Sequence, residues 1–404
     1  MTGTPVADAS ALRPNERRVV GALKTRDRLS RSDLARLTGL PKTTVSGLVK
    51  QLVRRGVVAE SRAAAQPTGR MGRPATMLTL AEPRGLLAAF ALTHGRLRAA
   101  AVGFDGTIRA QRATDTDVPR LTGGVVGPAV GLMDEALADA GLGREVLRMA
   151  VLGIPLPFRR GQGVAGLKDL SPALWQAMPD LPRLPEWLRH DPSADLQASL
   201  GVPAVTENDA NLGALGEATF GAGRGASSLL YIKFVEGIGA GLVIDGHLYR
   251  GATEVAGELA HLRVRDDGPL CPCGNRGCLA TLFSRPSLLA LIQPAYEGKL
   301  TFPDVITLAA HGDRGVWRIL GDLGETLGRR IADFCLFANP DAIVLDGLLS
   351  AAGEPILNGI REAISSRTLP VVAESVHIRL GSLGDDAELF GALAIARTRL
   401  LTGE

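Results

Sequence analysis

Cysteine is scarce in this chain, with four among 404 residues, too few for the disulfide framework of a secreted scaffold. Long apolar runs are missing as well. The most apolar stretches, near Leu86 and Val151, stop far short of the ~18 residues a membrane span requires. The opening MTGTPVADASALRPNERR has no apolar h-region, so no secretory signal is expected. No short internal repeat suggests a solenoid. These absences point to a reducing cytoplasm and away from any membrane partner. What is present is globular: 46% hydrophobic and 22% charged residues suit a packed core and exclude wholesale disorder. At ~100–200 residues per domain, the length predicts two to four domains.

The net charge of +3 hides an asymmetry. Residues 1–80 carry 15 Lys and Arg against 5 Asp and Glu, whereas the remainder carries 30 against 37. A basic head on an acidic body suggests an anionic partner for the head alone, although a solvated basic face would look the same. After a tail over residues 1–13, the apolar spacing Val19, Val20, Leu23 predicts a helix over Pro14–Lys24, with Pro14 in its first turn. Ser30 or Ser32 caps a second helix carrying Leu34, Ala35 and Leu37, which stops at Gly39. Pro41 opens a third helix with the stripe Val45, Leu48, Val49, Leu52, Val53, ended by Gly56.

The spacing Ala35–x3–Gly39–x5–Val45 is that of a helix-turn-helix, in which a small residue lets two helices approach and glycine makes the turn. The third helix then exposes Lys42, Thr43, Thr44, Ser46 and Lys50, short hydrogen-bonding and cationic side chains suited to the major groove. After Gly56, VVAES and TMLTL alternate like the two strands of a wing. Its tip, PTGRMGRPA, sets Arg70 and Arg73 among glycine and proline, where guanidinium groups can enter a narrow minor groove. Helix-turn-helix spacing alone would suit a protein-interaction module equally well. Spacing, basic charge and an arginine-tipped wing together point to a winged helix-turn-helix over residues 14–80 that binds double-stranded DNA in the nucleoid.

From residue 84 to 404 the pattern becomes α/β. Strands are expected at LLAAFAL, LRAAAVGF, RMAVLGI, PAVTEN, SLLYIKFV, AGLVIDG and AIVLDG. Helices are expected over Val126–Ala140, Asn211–Ala218, Arg285–Tyr296 and Val316–Ala338. The sharpest chemical signal is His261–x9–Cys271–x–Cys273–x4–Cys278. Three cysteines and a histidine make a closed tetrahedral ligand set for one structural zinc, with no open position for hydrolysis; a cluster of free thiols is the alternative. Gly274 and Gly277 let the chain fold around the metal. Cys335 lies in an apolar helical pattern and reads as core.

A second constellation is ENDANLGALGE. Asn208 and Asp209 end a strand, where α/β folds present ligand-binding groups. A carboxylate there could act as a general base, or the pair could simply cap the following helix. With Glu258 and His261 they make a set fit for vicinal hydroxyls, which points to a sugar.

GELAH followed by CPCGNRGCL, with ENDANLGALGE upstream and GDDAELFGALAIA near the end, resembles the ROK family of repressors, open reading frames and kinases. The resemblance covers roughly residues 84–397, and the winged head is similar to that of the family's regulators. It implies an actin-like, hexokinase-like fold of two lobes around a cleft. It implies zinc at His261, Cys271, Cys273 and Cys278, and a sugar site at Asn208, Asp209, Glu258 and His261, with Asp209 at the position of the kinases' base.

The departures separate kinase from regulator. Where the kinases carry a DxGGT-like phosphate loop, this chain has Ala91 and Thr93-His94-Gly95; where they carry GTGIGxG, it has Val235-Glu236-Gly237. Phosphate cradles need bare backbone N–H groups and hydroxyls. A carboxylate ~4 Å from a phosphate oxygen would cost ~1 kcal/mol in water and ~4 kcal/mol at an effective dielectric of 20. ATP chemistry is therefore not expected. The sugar site departs too: Ala280 replaces a glutamate and Pro157-Phe158 replaces Pro-Gly, so that Phe158 could fill space near the ligand. The expectation is a non-enzymatic DNA-binding regulator, a repressor, acting as a homodimer or tetramer on an operator and sensing a sugar or sugar derivative. A regulator whose body senses no sugar, and a sugar kinase with a DNA-binding head, are the alternatives.

Overall fold

The structure, a computed structural model, describes residues 12–25, 28–62, 76–81, 83–93, 95–116, 121, 123–164, 186–347, 351 and 353–402. The head comprises α1 (Pro14–Thr25), β1 (Leu29–Ser30), α2 (Arg31–Thr38), α3 (Lys42–Arg54), β2 (Val58–Arg62) and β3 (Thr76–Leu80). Ser30 caps α2 by accepting from Asp33 N at 3.1 Å, and the Asp33 carboxylate returns to Ser30 N at 3.1 Å, a reciprocal capping box. Ser32 stays exposed on the helix. Gly39 then turns the chain at a φ of 67°. Val45, Val49 and Leu52 of α3 are fully buried against Val19, Val20, Leu34 and Leu78, while Leu48 and Val53 sit at the edge of this core. The wing holds one strand beyond the two expected: β1 pairs with β3, giving the order β1-β3-β2 and burying Leu29 opposite Leu78. Leu12 also packs here, ahead of the expected start at residue 14, and so does Leu401 from the far end of the chain.

The first lobe of the body holds β4 (Leu86–Leu92), β5 (Arg96–Gly103), β6 (Ile108–Asp115), α4 (Val126–Asp139), β7 (Leu147–Ile154), β8 (Phe158–Arg159), β9 (Gly163–Val164), α5 (Ser193–Leu200) and β10 (Ala204–Asn208). Its main sheet has the order β10-β7-β4-β5-β6. The second lobe follows α6 (Asp209–Thr219). It holds β11 (Ser228–Phe234), β12 (Ile238–Ile244), β13 (His247–Leu248), α7 (Arg285–Ile292), α8 (Phe302–Ala310), α9 (Arg314–Ala338), β14 (Ala342–Gly347), α10 (Glu354–Arg367), α11 (Pro370–Ser375) and β15 (His377–Leu380). Its sheet has the order β13-β12-β11-β14-β15. Each sheet is an antiparallel meander of three strands continued by two parallel strands. The lobes therefore share one topology. Cys335 is fully buried on α9 within the second lobe's core.

The chain returns to the first lobe with α12 (Ala387–Thr402). Leu389, Ala392, Leu393 and Ala396 of α12 pack on Leu87, Ala89, Met149 and Val151 of the first sheet. Helix α6 lies on β11 and β12 of the second sheet. The two helices cross where glycine removes the side chain from each. A Cβ on Gly391 would stand 1.9 Å from the Leu212 carbonyl oxygen, and one on Gly216 would stand 2.2 Å from that of Ala387. This crossing joins the lobes beneath the cleft.

Candidate functional site

On the head, Lys42, Thr43, Thr44 and Lys50 are exposed on the face of α3 opposite its buried stripe, and Ser46 is half-buried. Pro41 precedes the helix, and no side chain caps its first turn. The amide groups and positive dipole end of α3 are thus available to an anion such as a DNA phosphate. Arg70 and Arg73 lie outside the described residues.

In the second lobe, His261 sits in a short turn over Leu259–His261, and the cysteines lie on the loop that follows. Cys271 N donates to Asn275 O at 2.7 Å and Gly274 N to Cys271 O at 2.9 Å, which folds the loop back on itself. Gly277, at a φ of +63°, passes so close to Arg265 that a Cβ would meet its carbonyl oxygen at 1.7 Å. The four side chains converge. Cys271 Sγ is 3.5 Å from His261 Nδ1, Cys273 Sγ is 3.7 Å from Cys278 Sγ, and all four ligand atoms lie within 4.8 Å of one another. This cluster can hold a metal ion. Burial lowers the His261 pKa, which keeps the ring neutral as a ligand must be. Burial pushes the Cys271 thiol up to about 12, so a thiolate there calls for a bound cation.

The cleft begins on the other edge of the same histidine. His261 Nδ1 faces the thiols, while Nε2 faces Glu258 Oε2 at 3.9 Å. Glu258, Asn208, Asp209 and His261 line one cavity of about 190 Å³, together with Thr93, Pro155, Leu156, Pro157, Lys233 and Glu236. That is smaller than the ~300–1,000 Å³ of drug-sized sites and leaves room for a small polyol. Asn208 also caps α6: its Oδ1 accepts from Asn211 N at 3.0 Å, and its Nδ2 donates to Leu156 O at 3.0 Å. Burial, and secondarily the Asp209 charge, raises the Glu258 carboxyl to about 7.

Asp209 is not a free base. Its Oδ1 accepts from Ala210 N at 2.7 Å, and its Oδ2 accepts from the buried Lys233 Nζ at 2.8 Å. Lys233 Nζ also donates to Glu388 Oε1 at 2.5 Å. Burial pulls the ammonium pKa down, but the two carboxylates outweigh it and hold the group above its ordinary value. Asp209 thus meets the cleft with its carboxylate bonded to the backbone on one oxygen and to the buried ammonium on the other. The residues at the phosphate-loop positions are equally committed. Glu236 pairs with Arg285 at 2.9 Å, and Arg285 Nε donates to Val235 O at 3.0 Å. Thr93 N closes a tight turn onto Arg96 O at 2.8 Å. His94 lies outside the described residues.

One expectation fails. Phe158 does not enter the cavity; it is buried in the first-lobe core on β8, and Pro157 lines the cleft instead. Ala280 is half-buried against the second-lobe core and is not among the cavity's lining residues. Conversely, sequence reasoning missed Lys233 and Glu388. A lysine inside the otherwise apolar strand SLLYIKF was the available signal, since a buried cation needs a partner.

A ROK family profile matches residues 176–399 and a MarR family profile matches residues 12–66. The xylose repressor of Bacillus subtilis strain 168 is 30% identical over 369 residues, covering 91% of this chain and 90% of that protein. The DNA-binding transcriptional repressor Mlc of Escherichia coli K12 is 24% identical over 381 residues, covering 91% and 89%. Among solved structures, a ROK family transcriptional regulator described as a homologue of the E. coli MLC protein superposes with a TM-score of 0.72. It is 24% identical and covers 96% of each chain, a likeness of fold.

Proposed function

Because this chain belongs to the ROK family and joins a MarR-type winged helix to the family's kinase-like body, we propose that it represses transcription through α3 and is released by a small sugar bound beside Asp209. It is a sugar-responsive DNA-binding repressor and not an enzyme. The observation that carries the sugar reading is one small cavity lined by Asn208, Asp209, Glu258 and His261, whose would-be base is held by Lys233. Such a site can hydrogen-bond vicinal hydroxyls, and its Asp209 is tied to a buried ammonium.

Lys42, Thr43, Thr44, Ser46 and Lys50 read base edges and phosphates in the major groove, and Arg70 and Arg73 enter the minor groove. The protein binds a two-fold operator in the nucleoid as a homodimer or a pair of dimers. One zinc per chain joins His261, Cys271, Cys273 and Cys278. A tetrahedron with ~2.3 Å Zn–S and ~2.0 Å Zn–N bonds would have edges of ~3.8 Å between sulfurs and ~3.5 Å from sulfur to nitrogen. The 3.7 and 3.5 Å separations here support that reading. The metal supplies structure and fixes the His261 ring so that Nε2 addresses the cleft.

The test is direct. Calorimetry against D-xylose, D-glucose and related aldoses, paired with fluorescence anisotropy on a DNA duplex selected by the chain itself, should give one sugar that both binds and weakens the DNA complex. Strong DNA binding that no sugar alters would sink the sensing role and leave a body that only dimerises.

A further inference from the structure

The ion-paired group at the cleft floor crosses between the lobes. Asp209 begins α6 and Lys233 lies on β11, both packed with the second-lobe sheet, whereas Glu388 lies in the first turn of α12, which packs on the first-lobe sheet. Lys233 Nζ, buried between the carboxylates at 2.8 and 2.5 Å, therefore ties α12 to the opposite lobe. Glu388 Oε2 is buried without a hydrogen-bond partner. One ammonium thus serves two carboxylates, and a hydroxyl donated to Asp209 from the cavity would leave Lys233 to lean more on Glu388.

The same helix reaches the head. Helix α12 has 16 residues, which span ~24 Å. In its last turn Leu400 packs against the first-lobe core, while its neighbour Leu401 is buried in the core of the winged helix with Val45, Val49 and Leu52 of α3. One element thus has its first turn ion-paired to Lys233 beside the sugar cavity and its last turn in the core of the winged helix.

We propose that Glu388 is a positioning residue that couples the sugar site to the DNA-binding head: the Asp209–Lys233–Glu388 link sets the seat of α12, and α12 sets the seat of α3 through Leu401. This rests on the sugar-released reading above, but it makes a claim that can be tested without any sugar. Coupling is reciprocal by thermodynamic necessity. Disturbing the cleft end must be felt at the head, and disturbing the head end must be felt at the cleft.

The experiment is hydrogen–deuterium exchange on the full-length chain without ligand. In Glu388→Gln, peptides covering residues 31–54 should change exchange rate by ~5-fold or more, with β4 and β7 changed less. In Leu401→Ala, which keeps the cleft intact, peptides covering residues 205–215 and 228–238 should change in turn. A purely local stabilising role for either side chain would leave the distant peptides alone, and unchanged distant peptides in both variants overturn the coupling. Should Glu388→Gln fail to fold, Leu401→Ala alone decides. D-Xylose and D-glucose then separate this claim from the one beneath it. If wild type binds one of them and releases DNA, Glu388→Gln should bind it within ~3-fold of wild type yet release DNA at ~10-fold higher sugar. Release by the variant at the wild-type concentration overturns the coupling and leaves the sensing role standing. If wild type answers to no sugar, the sensing role falls and the exchange result still decides the coupling.

Discussion

Each side chain of the metal cluster supplies one ligand atom, Cys271, Cys273 and Cys278 from one loop and His261 from the turn before it. Replacing Cys273 with serine should abolish about one equivalent of metal per chain and lower the melting temperature, because metal-binding energy in such sites is partly folding energy. Elemental analysis of freshly purified protein checks this, and a metal-free wild type with full DNA binding would refute it. The charge link was hidden because Lys233 and Glu388 lie 155 positions apart, and no local pattern joins them. Asp209 raises a different question, because a cap and a ligand contact look alike in sequence. The structure gives the capping bond to Asn208, so Asp209→Ala should cost little helix stability. Leaving ligand hydroxyls unpaired costs ~1–3 kcal/mol, so ten- to a hundredfold more sugar should be needed for operator release, and the loss of one partner of the buried Lys233 should also lower the melting temperature. A fall in melting temperature with an unmoved release curve would make Asp209 purely structural.

Elements with strong apolar periodicity were readable, and those without it were not. Strands β4 and β14 coincide with the expected LLAAFAL and AIVLDG. Strand β6 escapes because IRAQRATD presents mostly exposed polar residues at the sheet edge, and a solvated edge strand carries little alternation to detect. Strand β1 escapes because two residues are too few to show a pattern. On α3, Ser46→Ala should relax operator specificity more than overall affinity, since a lost base contact costs discrimination while phosphate contacts persist. Arg73→Ala should weaken binding to all sequences and flatten the salt slope by ~1 if it neutralises one phosphate. Anisotropy titrations over a salt series distinguish the two behaviours; unchanged specificity and slope in both variants would rule out this docking. At the interlobe crossing, Gly391→Ala forces a Cβ toward the Leu212 carbonyl at 1.9 Å. Such overpacking should cost ~1–3 kcal/mol, visible in a denaturant melt. A neutral result would mean that the helices can part.

Over the whole molecule, the two-lobed architecture was expected from resemblance, whereas its internal symmetry was not visible in the residues. Both sheets follow one strand order, yet the topology is written in long-range pairings that the residue order does not display. With Lys233 holding Asp209 and Arg285 holding Glu236, purified protein given ATP and D-glucose or D-xylose should turn over well below ~1 s⁻¹, the low end of ordinary enzyme rates. A coupled assay checks this, and turnover above that rate would restore the kinase reading.

The frame of each lobe is sheet and helix, and its stability comes from buried strands such as β4, β7, β11 and β14. The polar groups of the cleft sit at the ends of the strands, with Thr93 after β4, Asn208 ending β10, Asp209 just beyond it and Glu236 after β11. The cleft and the scaffold thus occupy separable parts of the chain. The residues at the strand ends can therefore be substituted, and the cleft given a different occupant, while the buried strands that carry the fold stay as they are.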